Sequence, residues 1–111
     1  MTDKIVVLSS CSTRDEADRI ANALIERRLA ACVNIVEGVD SGYRWKGVVE
    51  HSREFLLIIK AKRENFEALS SLLASLHSYE VPEVIALHVV AGSESYLEWL
   101  DRELGSREEL E

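Results

Sequence analysis

Residues 31–62 read ACVNIVEGVDSGYRWKGVVEHSREFLLIIKAK, and this stretch decides the fold. Its centre, Trp45-Lys46-Gly47-Val48, holds a glycine between aromatic and β-branched residues, which is typical of a β-hairpin turn. Glu37-Gly38 interrupts the first arm and predicts a bulge or bend there. Both arms exceed the usual strand of about six residues. So long a hairpin extends beyond a domain of 111 residues, and we expect its far half to pack on a second copy of the chain.

Composition and charge limit the possible class of protein. The chain has 111 residues, of which 47% are hydrophobic, and a net charge of −7. That length predicts a single domain, with an ordered core over about residues 5–104 and a frayed tail over 105–111. An acidic chain lacks the basic surface that attracts nucleic acids and anionic membranes. The sequence therefore predicts no nucleic-acid partner and no membrane partner.

The hydrophobic runs and the cysteines point to a cytoplasmic protein. No run approaches the roughly twenty apolar residues of a membrane span. The segment Met1–Lys4 leads directly into an apolar strand, so we expect no signal peptide. Cys11 and Cys32 lack CxxC spacing, which favours free thiols in a reducing compartment over a disulfide.

Hydrophobic periodicity predicts the strands and helices. Strands are expected at Ile5–Leu8, at Ala31–Val36 continuing into the first hairpin arm, at Phe55–Ile59 and at Val84–Val90; helices are expected after Thr13, over Glu64–Leu76 and after Ser93. Thr13 and Glu16 form a predicted capping box, in which each side chain bonds the backbone amide of the other residue. The segment Ser9–Thr13 is small and polar, which predicts a loop.

The resulting order, βαββαβα, predicts the architecture. Right-handed crossovers put the strands in one antiparallel sheet with two helices on one face, which is the ferredoxin-like sandwich of the α/β (α+β) class. The third helix is then an addition at the C-terminus. The long hairpin joins the second and third strands.

The sequence carries no enzyme motif. GxGxxG, Walker, HExxH and GxSxG patterns are all absent from the chain, so we predict that it is not an enzyme. A strand-to-helix loop is the favoured interpretation of Ser9–Thr13. A reactive Cys11 stays open as the alternative, because the thiol lies near the start of a predicted helix, where its pKa is lowered.

His77 is the candidate metal ligand of most interest. Tyr79, Glu80 and Glu83 follow it closely, so nitrogen, phenol and carboxylate donors concentrate beside the rigid Pro82. No spacing typical of a zinc or haem site is present. A second interpretation stays open, in which His77 only complements the C-terminal end of its helix.

Several motifs together resemble one family. Leu29-Ala30-Ala31-Cys32-Val33-Asn34-Ile35, Tyr43-Arg44-Trp45-Lys46-Gly47, Leu57-Ile58-Ile59-Lys60, Tyr79-Glu80-Val81-Pro82-Glu83 and Tyr96-Leu97-Glu98-Trp99-Leu100 stand in one order over nearly the whole chain. They closely resemble the CutA divalent-cation tolerance proteins. The resemblance implies a cytoplasmic homotrimer of ferredoxin-like subunits, in which the long hairpins join between subunits. It also implies an inter-subunit cleft containing Trp45, Lys60, Tyr79 and Glu83.

The resemblance further implies copper binding, by a cysteine that ends the first strand and two adjacent histidines that close the second helix. Ser9, Leu76 and His77 stand at those positions here, so only His77 keeps a donor of that kind. We therefore expect any site for copper or another divalent cation to be weak and not required for folding. His77 would be a ligand, with Cys11, Glu80 or Glu83 as additional donors. His77→Ala would then lower copper affinity and leave the trimer intact.

Two functions are expected from the sequence and the resemblance. The first is a divalent-cation tolerance protein that binds metal ions and performs no covalent chemistry. The alternative is a trimeric signalling or scaffold module similar in plan to PII-type proteins, whose clefts bind a small anionic ligand or a protein partner. Lys60 and Arg44 are the anion contacts in that alternative.

Overall fold

The computed structural model describes residues 2–105, so Met1 and the predicted tail beyond Gly105 lie outside the described residues. The elements are β1 (Lys4–Cys11), α1 (Arg14–Glu26), β2 (Cys32–Trp45), β3 (Val48–Lys62), a single 3-10 turn (Arg63–Asn65), α2 (Phe66–Leu76), β4 (Ile85–His88) and α3 (Glu94–Glu103). The strands form one antiparallel sheet in the order β2-β3-β1-β4. The predicted order of elements and the α+β class are confirmed.

The long hairpin is formed as predicted. β2 and β3 span 14 and 15 residues and pair as far as Trp45 and Val48. Lys46 and Gly47 form the turn, and their φ angles of 51° and 83° are those that a two-residue hairpin turn with the right twist requires. The register shifts between Val36 and Val39, which confirms the bulge at Glu37-Gly38. The hairpin contributes to the elongated shape of the chain, which measures 43 × 28 × 23 Å.

β1 is longer than predicted, and the predicted loop over Ser9–Thr13 is wrong for its first three residues. Ser9, Ser10 and Cys11 pair with Leu57, Leu56 and Phe55 of β3. The long partner strand offers backbone hydrogen bonds to these small residues, and pairing satisfies groups that a buried loop would leave unpaired. β4 is shorter than predicted, because pairing with β1 extends only from Ile85 to His88.

The hydrophobic core lies between one face of the sheet and helices α1 and α2. Alternate residues of β1 and β3 point into it, as the two-residue period of a strand requires. The core consists of Ile5, Val7, Cys11, Ala17, Ile20, Leu24, Leu29, Ala30, Leu57, Ile59, Ala61, Leu69 and Leu73. Ser9 lies among them with a buried hydroxyl that has no hydrogen-bond partner among the described residues.

The opposite face of the sheet is apolar and only partly covered. Pairing aligns Leu8 with Ile85 and Val6 with Leu87, and both pairs lie on this face. Ile85 and Leu87 are 51% and 52% exposed in the single chain. We refer to this surface, with Val36, Leu56 and Ile58 of the neighbouring strands, as the open face.

Helix α3 is held at one end of the open face by a buried lysine. The ammonium group of Lys4 lies between the carboxylates of Asp3 and Asp101. Burial opposes the charged form, but the hydrogen bonds to Asp101 and Asp3 raise the pKa of Lys4, and the bond from Lys4 lowers the pKa of Asp3. Among residues 2–105, no helix combines the length and the hydropathy needed to cross a bilayer.

Candidate functional site

An open cleft of about 840 Å³ lies where the hairpin meets the end of β1 and the loop between α2 and β4. It lies within the size range of small-molecule sites, about 300–1,000 Å³. Its lining consists of Ser10, Ser41, Gly42, Tyr43, Trp45, Glu50, Glu54, Ser78, Tyr79, Glu80, Val81 and Glu83. We refer to it as the acidic cleft.

His77 fixes the start of the loop that forms one wall of the acidic cleft. Its side chain is fully buried. Nε2 lies 2.8 Å from the carbonyl oxygen of Ser10, and Nδ1 lies 3.1 Å from the backbone nitrogen of Tyr79. In the neutral ring that satisfies both contacts, Nε2–H donates and Nδ1 accepts. Neither nitrogen then has a lone pair free for a metal ion.

Glu16 joins helix α1 to the same loop. Thr13 accepts a hydrogen bond from the Glu16 backbone nitrogen at 3.2 Å, so the first half of the predicted capping box is confirmed. The second half is wrong, because the Glu16 carboxylate does not return to the Thr13 amide. It accepts instead from the backbone nitrogen and hydroxyl of Ser78, at 3.4 and 3.2 Å. Glu16 is 95% buried, and its contact with Ser78 directs the carboxylate away from the start of helix α1.

Glu54 is a nearly buried carboxylate in the wall of the acidic cleft. The residue is only 6% exposed. One oxygen, Oε2, accepts a hydrogen bond from the Tyr79 hydroxyl, whereas Oε1 accepts none from residues 2–105. Burial and the bond to Glu54 raise the pKa of Tyr79, so the phenol is a donor at neutral pH. Within the described chain Glu54 has no cationic partner within 4 Å.

Cys11 is a buried, protonated thiol, which argues against the alternative that it is reactive. Burial, together with the negative charges of Glu16 and Glu54, raises its pKa to about 11. The thiol donates a long contact of 3.8 Å to the Thr13 carbonyl oxygen. A nearby helix N-terminus lowers the pKa of a thiol, but desolvation and two negative charges raise the pKa of Cys11 by more.

The Cys11 thiol is expected to react slowly in the folded protein. At pH 8 the raised pKa alone lowers the thiolate fraction by about a hundredfold relative to an ordinary cysteine. Because folding raises this pKa from 9.0 to about 11, the associated stability is present below pH 9 and is lost as pH rises toward 11. Thiol labelling of the Cys32→Ser variant, folded and in denaturant, measures this. Equal labelling rates in the two states would contradict it.

The structure brings some of the predicted site residues together and places others elsewhere. Trp45, Tyr79 and Glu83 line the acidic cleft together. Lys60 lies elsewhere on β3, where its ammonium group donates to the Asn34 side-chain oxygen.

Arg44, the second predicted anion contact, also lies outside the lining. It donates to the Gly47 carbonyl oxygen at 3.3 Å. Of the predicted ligands His77, Cys11 and Glu83, only Glu83 lines the cleft. Within residues 2–105 no three His, Cys, Asp or Glu side chains converge to hold a metal ion.

Glu50 and Glu54 were missed by the sequence reasoning, although the hairpin contains a signal for them. In a hairpin with a two-residue turn, Trp45 pairs with Val48, and Tyr43 therefore pairs with Glu50. Every second residue of β3 shares that face, so Glu54 belongs to the same surface as Tyr43 and Trp45. The acidic cleft then has four glutamates, Glu50, Glu54, Glu80 and Glu83, and no lysine or arginine among its described lining residues.

Comparison with known proteins gives a consistent result. A family model described as "CutA1 divalent ion tolerance protein" matches residues 5–103. The chain is 45% identical over 100 residues to the Divalent-cation tolerance protein CutA of Thermus thermophilus, covering 90% of this chain and 97% of that protein. It is 46% identical over 96 residues to the chloroplastic Protein CutA of Arabidopsis thaliana, covering 86% of this chain and 53% of that protein. The chain therefore spans about half the length of this plant relative.

A solved structure gives the same fold. The divalent cation tolerance protein Cut A1 from Thermus thermophilus superposes with a TM-score of 0.90 at 44% identity, covering 92% of this chain and 99% of that one.

Proposed function

This chain belongs to the CutA1 divalent ion tolerance family, and we propose that it contributes to divalent-cation tolerance without covalent chemistry, as a homotrimer that binds metal ions weakly in the acidic cleft. The observation that carries the proposal is Glu54, a cleft residue only 6% exposed whose carboxylate has no cationic partner among residues 2–105. Burying a charge is costly unless it is paired. A cation bound in the cleft would supply such a partner.

The kind of ion follows from the donors. Carboxylate and hydroxyl oxygens line the cleft, and these are the ligands preferred by magnesium, calcium and manganese ions. Because no three acidic, cysteine or histidine side chains converge among the described residues, a bound ion retains much of its water and binds weakly.

Copper bound in the manner implied by the resemblance does not fit these residues. A bond from His77 to copper would have to replace the hydrogen bond at either Ser10 or Tyr79. The Cys11 thiol would have to lose a proton against a pKa of about 11. Ser9 offers a hydroxyl in the position of the family's cysteine. Copper binding by this route is therefore weak, and no part of the proposed function depends on it.

The homotrimer is supported by the open face. Ile85, Leu87 and Val36 expose 51%, 52% and 41% of their surface in the single chain, on one contiguous side of the sheet. Apolar surfaces of this kind usually mark an interface. The hairpin beyond the bulge also exposes Val48 and Val49, by 61% and 57%, which a neighbouring subunit would cover. Association of identical subunits closes such surfaces symmetrically.

An anionic ligand, the alternative function, finds little support in the cleft. The lining residues contribute four glutamates, and neither Lys60 nor Arg44 is among them. A small anion would meet like charges there. We also infer a cytoplasmic location, since Cys11 and Cys32 are both free thiols and such thiols persist in reducing compartments.

Calorimetric titration with Mn²⁺ tests the metal proposal. We expect weak binding to the wild type and an affinity about tenfold lower for Glu54→Gln, a loss of about 1.4 kcal/mol. Glu67→Gln is the matched control, because it removes the same charge from an exposed residue of α2 outside the cleft. Equal affinities for the two variants would show that the ion is attracted only by net charge.

A further inference from the structure

The acidic cleft combines carboxylates with aromatic rings, and this combination points beyond a bare metal ion. We infer that the cleft accepts a linear polyamine, an extended aliphatic chain with two or more ammonium groups. The inference rests on the proposed cation-binding cleft and concerns a different class of ligand.

The aromatic side chains are the first reason. Tyr43, Trp45 and Tyr79 all line the cleft, and Tyr43 and Trp45 are 42% and 38% exposed. A hydrated divalent ion gains little from an aromatic face, whereas an ammonium group within about 6 Å of a ring is attracted to it. The Lys46 ammonium group lies 5.8 Å from the Trp45 centroid, and a ligand ammonium group would take its place. The rings also provide apolar surface for the methylene groups of a polyamine.

The spacing of the carboxylates is the second reason. Glu50 and Glu54 lie on the same face of β3, four residues apart, as the pairing of the hairpin shows. At a rise of about 3.3 Å per residue, their backbone positions are about 13 Å apart. A single metal ion cannot bridge that distance, but ammonium groups at the two ends of an extended chain can meet both carboxylates. Glu80 and Glu83 supply further negative charge from the loop.

The hydrogen-bonding groups are the third reason. An ammonium group has three donors and no acceptor. Oε1 of the nearly buried Glu54 accepts no hydrogen bond from the described residues, and the neighbouring lining includes the hydroxyl groups of Ser10, Ser41 and Ser78. Glu54 thus offers an unbonded carboxylate oxygen at the inner end of the cleft, while Glu50 lies toward the tip of the hairpin.

Calorimetric titration with spermidine at about 150 mM salt tests this inference, since exposed charges are largely screened there. We expect Glu54→Gln to weaken spermidine binding by about tenfold or more. The matched Glu67→Gln variant should bind as the wild type does. Trp45→Leu should weaken spermidine by about threefold or more, and should weaken it more than it weakens Mn²⁺.

The outcomes separate this inference from the metal proposal. Absence of spermidine binding to the wild type, or equal weakening by Glu54→Gln and Glu67→Gln, would overturn the inference even if Mn²⁺ binds as proposed. Spermidine binding without Mn²⁺ binding would support the inference and reject the metal proposal. If Glu54→Gln fails to fold, Glu50→Gln at an exposed position of the hairpin provides the same comparison with Glu67→Gln.

Discussion

Replacing both Ile85 and Leu87 by lysine is expected to convert the proposed trimer into monomers at micromolar concentration. These residues are about half exposed in the single chain and lie side by side with Leu8 and Val6 on the open face. In the proposed assembly each substitution buries an ammonium group against apolar surface. Burying such a charge without a partner costs several kcal/mol. In a closed symmetric assembly this cost recurs in every subunit.

Sedimentation equilibrium measures this result directly. Ile25→Lys is the matched control, because Ile25 is also apolar and 42% exposed but lies on α1, on the other side of the sheet. The wild type and Ile25→Lys should sediment as trimers. A trimeric double variant would locate the interface elsewhere, and a monomeric wild type would reject the assembly.

Leu57→Ala is expected to destabilise the protein by about 2–5 kcal/mol, the usual range when a leucine is truncated in a core. Leu57 is fully buried in the central part of β3, opposite Ser9 of β1. The truncation leaves a cavity between the sheet and the helices, which a sheet paired on both sides cannot easily close.

Chemical denaturation at a fixed protein concentration measures the loss, since association also contributes to stability. Leu72→Ala on α2 is the control, because Leu72 is only partly buried against the core. It should lose clearly less stability. Equal losses for the two variants would mean that Leu57 is not in a tightly packed region.

The hairpin was predictable from the sequence because its signals are local. Lys46-Gly47 adopts the positive φ angles of the turn, and Gly38 marks the bulge with a φ of 72°. A side chain at Gly38 would also approach the Arg53 guanidinium to 2.7 Å. The strand character of Ser9 and Ser10 was not predictable, because it depends on pairing with β3, more than forty residues later in the chain.

The acidic cleft was only partly predictable for a similar reason. Trp45, Tyr79 and Glu83 were named from motifs, and the fold brings them together. Glu16 fits a helix-capping motif, but its carboxylate bonds Ser78, 62 residues away in the chain. Glu54 appears in the sequence as an ordinary exposed charge of a strand. Its burial depends on Tyr79, which reaches it from another part of the chain.

The most direct test of cation binding in the acidic cleft is to locate a bound ion. Crystals soaked in Mn²⁺ would be measured for anomalous scattering. We expect a peak in the acidic cleft, within about 2.6 Å of a Glu54 carboxylate oxygen. We expect no peak at the ring nitrogens of His77, which contact Ser10 and Tyr79. A peak bonded to His77 or Cys11, with none beside Glu54, would contradict this expectation.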